Sequence, residues 1–272
     1  MGDDSAILQR QAVTALVHRT RLLEVLALSL FLFVVPDLRA QTSIVVFRTD
    51  NAIFAAADSK ASSYDKLEPT VTCKFFKSGE LFFGISGLYF DGYSEIVTNA
   101  GMNLHAIRSS TKNFEKVVLP LLQDALEKMR REYPEKYSGF MRSGKPDIDF
   151  IFFGMNRRIP VISAAVFHVQ ESGTSVTVSR AGEQFLDGAH CPRSGDVICG
   201  VESGNNKAIL AYQSKNPDWW KTKNLASLVR KFVQLEIDAV PAHVGPPIRV
   251  LKIDAKGRHW IQNGEGCDTD DR

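Results

Sequence analysis

The chain has 272 residues, 44% of them hydrophobic and 24% charged, with 33 basic against 31 acidic side chains. That length accommodates one large domain with a sizeable core, and the mixed, balanced charge excludes an intrinsically disordered chain. A net charge of +2 makes no field that would gather nucleic acid, so no nucleic-acid partner is expected.

The first 41 residues differ in kind. They hold Arg10, Arg19, Arg21 and Arg39 against Asp3, Asp4, Glu24 and Asp37, so losing them leaves the net charge unchanged. His18, Arg19 and Arg21 precede an apolar run from Val25 to Val35, which Pro36 stops. The run is too short to span a bilayer, which takes about 20 helical residues. It suits the hydrophobic region of a secretory signal, with Ala40 as the small residue at a cleavage point. Residues 1–41 are expected to be a removable leader, the alternative being a core helix of the mature protein. The expected organisation is a leader (1–41), one domain (42–262) and a polar tail (263–272), with no stable membrane anchor and a secreted or periplasmic destination. Export would allow Cys73, Cys191, Cys199 and Cys267 to form up to two disulfides, in three possible connectivities. Cys191 and Cys199 flank a short polar segment and are the favoured pair. No Cys-x-x-Cys occurs and the six histidines lack ligand spacing, so no metal or other cofactor is expected.

From Thr42 the pattern becomes short apolar runs. Ser43 to Phe47 and Ala52 to Ala57 read as strands joined by a turn at Arg48-Thr49-Asp50-Asn51. Val71 to Phe76 and Leu81 to Ser86 repeat the design around Lys77-Ser78-Gly79-Glu80, and the two hairpins are expected in one antiparallel layer. A helix is expected around Asp91 to Ile107. A stronger one places Phe114, Val117, Val118, Leu121, Leu122, Ala125, Leu126 and Met129 on one face, with Pro120 as a kink. Strands return at Ile148 to Gly154, Ile159 to Val169, Ser175 to Ser179 and Val197 to Gly200. Helices follow at Asn205 to Tyr212 and Asn224 to Ala239. A strand at Ile248 to Ile253, a turn at Gly257 and the run His259-Trp260-Ile261 close the domain, and Asn263 to Arg272 is expected to fray. Strands and helices in runs, rather than alternating, point to an α+β design of antiparallel sheets with helices layered outside.

The chemistry begins at Thr42-Ser43, which open an apolar strand directly after a removable segment. An amino-terminal threonine would carry a nucleophile and a base in one residue, its hydroxyl and its α-amine. An α-amine titrates near 7.7 to 8.0, so it is partly neutral without much tuning, and a nearby ammonium lowers it further. Lys74 is a lysine within an apolar run, which calls for solvent or a partner, and Asp58 is the natural partner. Each residue also has an ordinary reading. Thr42 can merely start a strand, Asp58 and Lys74 can be a structural ion pair, and Gly87 can be a turn glycine. Ser203 reads first as a helix N-cap. His105, His168, His190 and His259 read as core or surface residues, and Trp219 and Trp220 as packing.

At these residues the sequence resembles the proteasome β-subunit family of N-terminal nucleophile (Ntn) hydrolases. Thr42-Ser43-Ile44-Val45-Val46 is similar to the family's opening strand. Ala56-Ala57-Asp58-Ser59-Lys60 is similar to its Ala-Ala-Asp-Ser-Arg segment, and Lys74-Phe75-Phe76 to the segment begun by its lysine. Asp58 and Lys74 follow Thr42 by 16 and 32 positions, the family's offsets. Ile85-Ser86-Gly87-Leu88-Tyr89-Phe90-Asp91 is similar to its Ser-Gly-x-x-x-Asp segment, and Gly200-Val201-Glu202-Ser203-Gly204 to its glycine–serine loop. The resemblance implies a four-layer αββα sandwich, two antiparallel sheets between helix layers, in an exported member of bacterial type. It also implies hydrolysis of a peptide or amide substrate, with Thr42 as nucleophile, Lys74 and Asp58 tuning it, Gly87 at the oxyanion and Ser203 assisting. The implied alternatives are a catalytically silent assembly or binding protein and a small-molecule amidase or acylase. Ring-forming relatives make a homo-oligomer a possible state. The family's Asp-x-x-Ser-Gly segment after the last long helix has no counterpart, since this chain has Val240-Pro241-Ala242-His243-Val244-Gly245-Pro246 there. Gln41 precedes Thr42 and must also be removed to free the amine.

Overall fold

The computed structural model describes residues 42–61, 70–87, 93–142, 146–173, 175–186, 199–264 and 267. The expected leader, Cys191, His190 and the strand start at Val197 lie outside the described residues.

Strands β1 (Ser43–Arg48) and β2 (Ala52–Ala57) form the expected hairpin, with Ile44 opposite Ala57 and Arg48 opposite Ile53. Two short strands, β3 (Lys60–Ala61) and β4 (Thr70–Val71), make a separate ribbon. The next hairpin is β5 (Phe75–Ser78) with β6 (Leu81–Ser86). Helix α1 (Tyr93–Asn99) is followed by a 3-10 turn at Leu104–Ala106, then α2 (Ile107–Glu132) and α3 (Pro134–Met141). Strands β7 (Asp147–Asn156), β8 (Ile159–Ser172), β9 (Ser175–Leu186) and β10 (Cys199–Gly204) come next. Helices α4 (Lys207–Lys215) and α5 (Leu225–Ala239) and strands β11 (Arg249–Asp254) and β12 (Gly257–Gln262) complete the order.

The strands assemble into two five-stranded antiparallel sheets, ordered β10-β1-β2-β11-β12 and β5-β6-β7-β8-β9. Alternation then explains the layers. On β1, Val45 and Phe47 point to α4 and α5, packing with Ile209, Val229, Phe232 and Val233. Ile44 and Val46 point the other way, against Phe82, Ile151, Phe153 and Ile162 of the second sheet. On that sheet, Phe83, Phe150 and Phe152 face outward onto Phe114, Val118, Leu122 and Leu126 of α2. Three apolar interfaces therefore stack four layers, helices outside and sheets inside, as expected.

The expectation that the two hairpins share one layer is incorrect. β1 and β2 belong to the first sheet and β5 and β6 to the second. Both faces of β1 are apolar and buried, so it needs a helix layer on one side and a facing sheet on the other. The helix expected from Asp91 to Ile107 is broken at Gly101, whose φ of +66° leaves the helical region. Asn103 Oδ1 then accepts the His105 N–H at 2.8 Å to start the 3-10 turn. α2 runs through Pro120 without ending. Its buried stripe is Phe114, Val118, Leu122, Leu126 and Met129, whereas Val117 and Leu121 are each 39% exposed, so the expected apolar face is too wide. α3, with Pro134 at its first position, lies outside the sequence expectations.

The tail expected to fray is tied down at its start. Asn263 Nδ2 donates to the Ile248 carbonyl at 2.8 Å, and Cys267 is buried and disulfide-bonded to Cys73, with a Cα–Cα distance of 5.2 Å. Cys199, favoured to pair with Cys191, is also disulfide-bonded.

Candidate active site

Several strand ends meet at the start of β1. Thr42 precedes that strand and, by alternation, shares the inter-sheet face with Ile44 and Val46. Its carbonyl accepts the Asn205 N–H at 2.9 Å, just beyond β10. Asp58 follows β2 and lies across from Ser43. The Asp58 N–H donates to the Ser43 carbonyl at 3.2 Å, and the Ser43 N–H returns to Asp58 Oδ1 at 3.0 Å. Asp58 Oδ2 accepts the N–H groups of Lys60 at 3.1 Å and Gly245 at 3.2 Å.

Lys74 Nζ donates to Asp58 Oδ1 at 2.8 Å and to Thr42 Oγ1 at 3.0 Å, and all three residues are buried. The three residues picked out by offset therefore form one contiguous polar group. Burial dominates the Lys74 pKa and pulls it below the ordinary lysine range, while the charge and hydrogen bond of Asp58 oppose that shift. Lys74, expected within a strand, lies instead in the unladdered link 72–74 between β4 and β5. That link carries the chain from the small ribbon to the second sheet. Cys73 and Phe75 pack into the inter-sheet core on either side of it, which leaves Lys74 turned to Thr42.

Gly87 follows β6 at φ +93°, and a Cβ there would sit 2.4 Å from the Asp147 carbonyl oxygen. Both backbone conformation and space require glycine. The rest of that motif, Leu88 to Asp91, lies outside the described residues.

Ser203 is a strand residue of β10 paired with Ile44, and α4 starts only at Lys207, so its expected N-cap role is incorrect. Its Oγ donates to Asp149 Oδ2 at 2.5 Å and meets Ser86 Oγ at 2.6 Å. Ser86 Oγ also donates to Asp149 Oδ2, at 3.3 Å. Burial is the largest influence on Asp149 and raises its pKa, against the hydrogen bond from Ser203. Asp149 lies outside the site residues expected from the sequence. The available signal was a carboxylate at an inward position of an apolar strand, Ile148 to Gly154.

The segment lacking the Asp-x-x-Ser-Gly pattern serves the site through its backbone. Gly245 brackets the end of β2, donating to Asp58 and accepting the Ser59 N–H at 3.0 Å. Lys60 Nζ donates to the carbonyls of Pro241 at 2.9 Å and Ala242 at 2.7 Å. His243 is half-buried in that turn, with its N–H on the Val240 carbonyl at 2.9 Å.

The other histidines among the described residues have local partners. His168 Nδ1 lies 2.7 Å from Asp147 Oδ1, His105 Nδ1 lies 2.8 Å from Asn156 Oδ1, and His259 Nε2 lies 3.7 Å from Asp254 Oδ1. Trp219 packs on Phe47 and Phe232, and Lys221 Nζ lies 5.3 Å from the Trp220 ring centre. Among the described residues no cluster of three His, Cys, Asp or Glu side chains could hold a metal, and no helix is long and apolar enough to cross a membrane.

No family model matches the sequence, and no curated protein matches it. Among solved structures the chain is similar to Anbu (ancestral beta-subunit) from Yersinia bercovieri, at 12% identity and a TM-score of 0.46. That similarity covers 81% of this chain and 88% of the other.

Proposed function

We propose that this protein, once residues 1–41 are removed, hydrolyses amide or peptide bonds with Thr42 as an amino-terminal nucleophile. The observation that carries this reading is the buried Lys74 ammonium held between the Thr42 hydroxyl and the Asp58 carboxylate. A lysine so placed lowers the pKa of both groups of an amino-terminal threonine and fixes the hydroxyl for attack.

In this mechanism the Thr42 Oγ1–H bond breaks as Oγ1 attacks the substrate carbonyl carbon. The proton moves to the neutral Thr42 α-amine, and the carbonyl π pair becomes an oxyanion at the Gly87 N–H. Collapse breaks the C–N bond, and the leaving nitrogen takes the proton from the α-ammonium. Water then hydrolyses the acyl ester with the same amine as base. Asp58 holds Lys74 in direction and charge. The disulfides at Cys73–Cys267 and at Cys199 support an oxidising destination, as would a removable leader.

A binding or assembly protein on the same scaffold is the second reading. It is favoured by the Val240–Pro246 turn, which meets Asp58 through a backbone N–H in place of an acidic or hydroxyl side chain.

Amino-terminal sequencing of the processed protein, with hydrolysis of fluorogenic peptides and acyl amides, tests the proposal. A mature chain starting at Thr42, with hydrolysis abolished by Thr42→Ala, is expected. A stable Gln41 terminus, or undiminished hydrolysis by Thr42→Ala, would overturn it.

A further inference from the structure

Thr42 has a second polar flank that the proposed mechanism leaves unused. On β7, Ile151 and Phe153 face the other sheet, and alternation puts Asp149 on that same face. Ser86 is the cross-strand partner of Asp149, and Ser203 shares the inter-sheet face of β10 with Val201. Ser203 pairs with Ile44, so Thr42, two residues before Ile44, sits beside it on one face. The approach is close. Gly204 has φ +81°, and a Cβ on it would lie 1.8 Å from the Thr42 carbonyl oxygen and 3.3 Å from the Ser86 Cβ.

The carboxylate in this cluster lacks an obvious counter-charge. Asp149 Oδ2 accepts from Ser203 and from Ser86, while Oδ1 is buried and makes no hydrogen bond among the described residues. The charge that acts on it is Asp147, of the same sign and itself paired with His168. A buried carboxylate held only by neutral donors is costly to keep, and groups so perturbed cluster at functional sites.

We infer that Asp149 is a positioning residue for the Thr42 α-amine, acting through the hydroxyl of Ser203. The inference rests on the reading of Thr42 as nucleophile. Ser203 donates its proton to Asp149 Oδ2 and takes the Ser86 hydroxyl on one lone pair, which leaves its second lone pair to accept from the α-ammonium formed during attack. No proton leaves the ammonium along this path; it is delivered to the leaving nitrogen as before.

The test is the pH profile of amide hydrolysis by the processed protein and by its Asp149→Asn and Ser203→Ala variants. Among the described residues, the titratable groups at this end of the inter-sheet space are Asp58, Lys74, Asp147 with His168, and Asp149. Hydrolysis needs the neutral amine, and a nearby carboxylate stabilises the ammonium, so removing that charge lowers the amine pKa. In Asp149→Asn the acid limb of kcat/KM should move down by about one pH unit, with kcat falling about tenfold or more and KM nearly unchanged. Ser203→Ala should lower kcat similarly, and the double variant should be little worse than either single one. Asparagine keeps an acceptor for Ser203, and Ser203→Ala alone carries the test should Asp149→Asn not fold. Labelling of wild-type Thr42 by a threonine-directed electrophile is read in parallel. Labelled wild type with unmoved limbs and undiminished kcat overturns the role of Asp149 alone, whereas unlabelled wild type overturns the nucleophile and this inference with it.

Discussion

The Lys74 ammonium donates to the Thr42 hydroxyl oxygen at 3.0 Å, across 32 positions of sequence. Lys74 is also the partner of Asp58, so it links the other two residues of the trio. Lys74→Ala is expected to lower hydrolysis by about a hundredfold or more, as loss of a group that activates the nucleophile does. Rates from purified variant and wild type check this, and a loss below about threefold would contradict it.

Asp58→Ala strips the acceptor from Lys74, Ser43, Lys60 and Gly245 together. Breaking a buried ion pair by removing one partner costs about 3–5 kcal/mol. Denaturant unfolding of the two proteins at pH 7 should show a lower midpoint, and a change under about 1 kcal/mol would contradict the structural share of this pair.

Much of this trio is legible in sequence because its parts are local. The hairpin Ser43–Ala57 sets Asp58 beside Ser43, and only the short ribbon of β3 and β4 separates Asp58 from Lys74. Asp149 is not legible in the same way, since its contacts reach back to Ser86 and forward to Ser203 across the gap between two sheets. The same limit explains the misassigned layer. Alternation shows which face of β5 and β6 is apolar, but not which sheet they join. Disulfide pairing is equally non-local: Cys73 and Cys267 are 194 positions apart, so nothing along the chain marks them as partners.

The Cys73–Cys267 bond closes a long loop next to Lys74. Removing such a crosslink is expected to cost roughly 2–5 kcal/mol, since the unfolded chain regains that freedom. Cys267→Ser should unfold at a lower temperature than the oxidised wild type, and equal melting temperatures would contradict a stabilising bond.

Glu202 on β10 points to the α4 side, where Gln213 Nε2 donates to it at 2.5 Å. Burial is the main reason its pKa rises to about 7, and the Glu236 charge adds to the rise. The folded protein then keeps a proton that the unfolded chain has released, so this site's contribution is full below about pH 4.5 and is lost as pH rises through about 7. Glu202→Gln should remove that decline and stabilise the protein near pH 7.5 by about 1–3 kcal/mol. Unfolding free energies between pH 4.5 and 8 check this, and parallel profiles for the two proteins would contradict it.

The proposal that Thr42 is the nucleophile is tested most directly by mass mapping after a threonine-directed electrophile is added to the processed protein. One adduct per chain on an amino-terminal Thr42, absent in Lys74→Ala, is the expected result. An unmodified Thr42 at a free amino terminus, or an adduct elsewhere, would contradict it.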